Sequence, residues 1–124
     1  MAESDEGNLE ASLEWLDKGE GWARELGWSR ALAWCLYRRG ANLADAGQYA
    51  EAESYLLQAL EAVTWDEPRF LVFAKVRMAR VYQKTGRLGL ARRTAEEARD
   101  LVERIGLGAL RGDVEALLRE LEVA

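Results

Sequence analysis

The chain has 124 residues and a net charge of −5, with half its residues apolar and just under a third charged. That is the composition of one globular domain, not of a disordered segment. It has no histidine and a single cysteine, Cys35. This excludes an internal disulfide, most metal-ligand sets and histidine-based acid–base or nucleophile chemistry.

No apolar run approaches the ~20 residues of a membrane span, and the first 15 residues are acidic, unlike a secretory leader. The expectation is a cytoplasmic protein with no catalytic site, cofactor or metal. Alanine, leucine, glutamate and arginine dominate and only Pro68 interrupts them, which argues for an all-α fold.

Residues 1–7, with Glu3, Asp5 and Glu6, read as a flexible acidic tail ahead of a helical domain over 8–124. Six helices follow. The first, 8–26, carries Leu9, Leu13, Leu16, Ala23 and Leu26 on one stripe, and Trp15, Trp22 and Trp28 are assigned to ordinary packing. The second, 29–46, is broadly apolar, with Ser29 as its expected N-cap and Gly47 as its stop. The third, 48–64, turns Ala52, Leu56, Ala59, Leu60 and Val63 inward, and Trp65 falls in the link that follows. The fourth starts near Pro68, a residue suited to a first helical turn, and ends before Gly86. The fifth, 88–105, carries Leu88, Ala91, Ala95, Ala98, Leu101 and Val102. The sixth, 109–122, carries Leu110, Val114, Leu117, Leu118 and Leu121.

These helices repeat. Gly7, Gly47 and Gly86 each open the same phrase: glycine, a polar residue, a large apolar residue, then a small residue three positions later. Leu16, Leu56 and Ala95 fall in register, as do Gly19, Ala59 and Ala98, so the period is 40 and then 39 residues. A helical repeat of that length is the signature of a stacked array. The order is half-repeat 8–26, repeat 29–64, repeat 67–105 and half-repeat 107–122. Gly40 with Ala44, Ala52 with Ala59, and then Ala79, Ala91 and Ala98 stand where paired helices would cross, because small side chains allow an approach of about 8 Å.

The stretch 36–64 resembles a tetratricopeptide repeat (TPR), with Gly40, Leu43, Ala52, Leu56 and Ala59 on that family's glycine, tyrosine, alanine, phenylalanine and alanine. The next unit matches with Ala79, Tyr82, Ala91, Ala95 and Ala98. The family's leading tryptophan is replaced by Leu36 and Lys75, its leucine by Arg39 and Met78, and its closing proline by Thr64 and Glu103. The long period is similar to that of variants found in many bacterial proteins. The resemblance, which covers 8–121, implies a right-handed α-solenoid of about six antiparallel helices, with a concave groove lined by the first helix of each pair. It also implies unpartnered faces at both ends, since the array opens on a second helix and closes on a first.

Charge separates along this framework. Segment 29–46 sets Arg30, Arg38 and Arg39 against Asp45, and segment 67–84 sets Arg69, Lys75, Arg77, Arg80 and Lys84 against Glu67, while 8–26 and 48–64 are net acidic. A basic groove on an acidic protein favours an acidic or amphipathic protein segment. The resemblance places Trp34, Tyr37 and Phe73 in that groove beside Arg38, Arg77, Arg80 and Lys84 as the partner-binding set. Opposing this, the acidic neighbouring helices could neutralise the same cations. The family's carboxylate clamp for chaperone tails is absent, because Tyr37, Ala41 and Arg77 stand at its sites. No basic recognition helix points to nucleic acid. The alternatives are a self-assembling scaffold unit joined through its open ends, and a sensor segment of a larger bacterial regulator.

Overall fold

The computed structural model describes residues 2–63, 67–106 and 108–123. The described residues form six α-helices and no strand: α1 Ala2–Leu26, α2 Ser29–Asp45, α3 Tyr49–Ala62, α4 Pro68–Lys84, α5 Leu88–Ile105 and α6 Gly108–Val123. None is long and apolar enough to cross a membrane. Thr64 and Trp65, expected at a helix end and in a link, lie outside the described residues.

The chain divides into two compact units, Met1–Asp66 and Glu67–Ala124. In the first, α2 and α3 form an antiparallel pair and α1 packs on α2. In the second, α4 and α5 form the equivalent pair, and α6 packs on α5 and, along a shorter contact, on α4.

Glycine ends the helices as the repeat requires. Gly27, Gly47, Gly86 and Gly106 all have positive φ, between 69° and 81°. Beyond the first three, the next amide reaches back five residues: Trp28 N to Ala23 O at 2.8 Å, Gln48 N to Leu43 O at 2.9 Å and Arg87 N to Tyr82 O at 2.8 Å. This is the left-handed closure that satisfies the last carbonyls of a helix. Gly7 differs, since it lies inside α1, which begins at Ala2, ahead of the expected start at 8. The cap of α2 also differs. Ser29 is the first helical residue and Trp28 holds the cap position without a side-chain hydrogen bond. Pro68 opens α4 as expected.

The core follows the small-residue pattern. In the first unit Ala33, Leu36, Gly40, Leu43, Ala52, Leu56 and Ala59 are buried on the facing sides of α2 and α3. A Cβ on Gly40 would lie 2.7 Å from Leu56 Cγ, so glycine is what lets the two helices approach there. The second unit buries Ala79, Ala91, Ala95, Leu117 and Leu121 in one cluster and Val72, Ala98, Leu101, Val102 and Val114 in another.

α1 departs from its expected stripe. Ala23 is buried, with Leu13, Leu16 and Gly19 half-buried beside it, but Leu26, Trp15, Trp22 and Trp28 are exposed. The cause is geometric. Among the described helices α1 packs only on α2, and one neighbour covers a single strip of a helix, leaving side chains about 100° round the axis uncovered.

Candidate interaction surfaces

On α2 the stripe Arg30, Trp34 and Arg38 runs at i, i+4 and i+8, which places all three on one helix face. Arg30 and Arg38 are exposed and Trp34 is half-buried. Trp34 meets Tyr37 edge to face, ring centroids 5.7 Å apart at 89°, a favourable quadrupole arrangement that fixes both rings. On α4 the residues at the same places, 39 positions on, are Arg69, Phe73 and Arg77. Each unit therefore presents arginine, aromatic and arginine in the same order on the first helix of its antiparallel pair. α4 extends the stripe with Arg80 and Lys84, the latter exposed.

Neighbouring acids take up several of the cations. Arg80 Nη1 is 3.3 Å from Glu120 Oε2 of α6, and Gln83 Nε2 lies 3.5 Å from the same oxygen. Lys75 Nζ is 2.8 Å from Glu97 Oε2 of α5. That pair borders an open cleft of about 320 Å³ between α4 and α5, also lined by Leu71, Asp100, Leu101 and Arg104. These pairs are partly exposed and individually worth little. They do lower the excess positive charge on α4 below what the helix carries in isolation.

Arg39 is the residue that reading each helix by its net charge misses. Its guanidinium donates to Asp17 of α1 and, at 3.0 Å, to Tyr55 Oη of α3. Its Cζ lies 4.8 Å from the Tyr55 ring centroid. Burial pulls its pKa down, but the hydrogen bonds to Asp17 and Tyr55 outweigh burial and hold it above the ordinary arginine value. Arg39 Nε is buried without a hydrogen-bond partner. The group borders a cleft of about 240 Å³ together with Leu13, Glu14, Leu43 and Glu51. The same position in the second unit holds Met78, which is buried. The first unit therefore uses a charged tie where the second uses an apolar contact.

Cys35 on α2 is half-buried and unpaired. Burial, reinforced by Glu20, raises its thiol pKa, and Arg39 only partly offsets this. A raised pKa is the opposite of what a reactive cysteine needs. Among the described residues no group of three His, Cys, Asp or Glu is placed to hold a metal ion.

Against family models, curated proteins and solved structures, the chain gives no match.

Proposed function

We propose that this chain is a protein-interaction module of the tetratricopeptide type, a right-handed helical solenoid that takes acidic or amphipathic protein segments. The observation that supports this most is the duplicated stripe, Arg30–Trp34–Arg38 on α2 and Arg69–Phe73–Arg77 on α4. A rigid aromatic between two arginines offers an apolar anchor with cations on either side. The repeat of the trio at one helical register supports a role beyond packing, since matched packing positions such as Gly40 and Ala79, Leu56 and Ala95, and Arg39 and Met78 differ in size or polarity while the half-buried and exposed trio keeps its order. Trp34, Tyr37 and Arg38 carry the contact in the first unit. Phe73, Arg77, Arg80 and Lys84 carry it in the second, with Arg80 exchanging its tie to Glu120 for the incoming carboxylate.

The test is fluorescence anisotropy with a labelled, glutamate-rich amphipathic peptide, and with its lysine-substituted counterpart as control. Binding of the acidic peptide alone, weakened by salt, is the expected result. Equal binding of both peptides, or of neither, overturns the proposal.

A further inference from the structure

Among the described residues the large side chains most open to solvent gather on one helix and its end: Trp15 is 72% exposed, Trp22 67%, Leu26 62% and Trp28 62%. Trp15, Trp22 and Leu26 stand at i, i+7 and i+11, a seam of the kind that seats a second helix. At about 200 Å² for each tryptophan, the four side chains leave on the order of 500 Å² of apolar surface uncovered, well above the scatter of single exposed residues.

The repeat register shows what such a face is used for. Tyr55 on α3 stands 40 residues after Trp15 and packs against Arg39 of α2, the helix before it. Leu101 on α5 stands 79 residues after Trp22 and is buried in the cluster with Val72 of α4, again the helix before. The corresponding face of α1 has no described helix against it.

We infer that α1 is a dimerisation helix, and that its tryptophan seam pairs antiparallel with the same seam of a second copy. Two observations select a second copy. The only other large apolar side chains exposed among the described residues are the isolated Leu57 and Leu90, and the exposed side chains described on α6 are polar (Arg111, Glu115, Arg119, Glu122) apart from the small Ala116, so the described residues offer no large unlike apolar face for head-to-tail stacking. Among the described residues the remaining apolar surface is the seam itself, which closes with its own copy as a twofold pair. Two seams pressed together remove about 1,000 Å² from these side chains alone, the size at which specific interfaces begin, before their flanks are counted.

Charge fits the same arrangement. Lys18 and Glu25 lie along one edge of the seam, and Lys18 Nζ sits 5.4 Å from the Trp15 ring centroid. In an antiparallel pair like edges meet, so a twofold axis between Gly21 and Trp22 sets each Lys18 against Glu25 of the other copy. The same axis directs Trp15 of one copy towards Trp28 of the other.

Sedimentation velocity on the 124-residue chain, from about 1 to 100 μM, tests the pairing. A dimer is expected, converted to monomer by Trp15→Glu with Trp22→Glu. Both sites are exposed, so an unchanged far-ultraviolet circular dichroism spectrum certifies the fold. Lys18→Glu alone should weaken the dimer about tenfold, and Lys18→Glu with Glu25→Lys should restore it. A monomer throughout the range, species growing beyond the dimer, or a dimer indifferent to the tryptophan substitutions would each overturn the inference. The acidic-peptide titration reads Arg38 and Arg77, so the two proposals fail separately.

Discussion

Gly40 and Leu56 fit together as a pair: a Cβ on Gly40 would come within 2.7 Å of Leu56 Cγ and 3.0 Å of its Cδ2. In the second unit the same two places hold Ala79 and Ala95, both fully buried in one cluster. One repeat sets a large residue against none, and the other sets two small residues together. Gly40→Ala should cost about 1–2 kcal/mol, because overpacking against Leu56 outweighs the ~1 kcal/mol gain in helix propensity. Adding Leu56→Ala to Gly40→Ala should cost less than the sum of the two single changes. Urea unfolding of the four proteins, analysed as a double-mutant cycle, measures the coupling.

Gly86 tests the other use of glycine. Its φ is +79° and nothing lies within 4 Å of the place a Cβ would occupy. Gly86→Ala should therefore cost about 1–2 kcal/mol through backbone strain alone. Gly86→Asn should cost less, since asparagine tolerates the left-handed region. Thermal melts of both variants decide the order.

Arg39 should separate charge from volume. Arg39→Ala removes the tie to Asp17 and Tyr55 and leaves a gap, at an expected cost of about 2–3 kcal/mol. Arg39→Met, the residue at the matching place in the second unit, removes the buried Nε that has no partner. It should be neutral or stabilising by up to about 1 kcal/mol, since an apolar side chain carries no desolvation cost at this half-buried place and the partner Asp17 stays exposed to water. Chemical denaturation of both variants checks this.

Cys35 should alkylate slowly. With its pKa raised by burial and by Glu20, the folded protein holds less thiolate than the unfolded chain at any pH near or above the usual thiol range. The sign follows: any contribution of this group to stability is complete below the unfolded-state pKa and is lost as pH rises through the higher folded-state value. Iodoacetamide labelling followed by mass spectrometry at pH 7 to 9 should run slower than for the chain in urea, with the gap widest near pH 9.

Most of the helical framework could be read from the residues. The spacing of Gly47 and Gly86, Pro68 and the apolar stripes locate the helix ends within a few positions of α2 to α6, because these signals act within one or two turns of the chain. What could not be read depends on which helix lies against which face. Trp15, Trp22 and Leu26 look like core residues by type, yet among the described helices only α2 covers α1, on another side. Arg39 and Asp17 are 22 residues apart, as are Lys75 and Glu97, and Arg80 and Glu120 are 40 apart. Counting charge helix by helix separates exactly those partners, and so overstates how basic α2 and α4 are. The twin trios around Trp34 and Phe73 were within reach of the sequence: once the 39-residue offset is known, aligning α2 on α4 exposes them.

Isothermal titration of the glutamate-rich amphipathic peptide into the unaltered chain, Arg38→Glu, Arg77→Glu and the pair combined tests the two stripes as a binding surface. Each single reversal should weaken binding about tenfold, or ~1.4 kcal/mol, and the double should weaken it further. Trp15→Glu with Trp22→Glu should leave that affinity unchanged. Equal affinity across the arginine series would rule out the stripes on α2 and α4 as a binding surface.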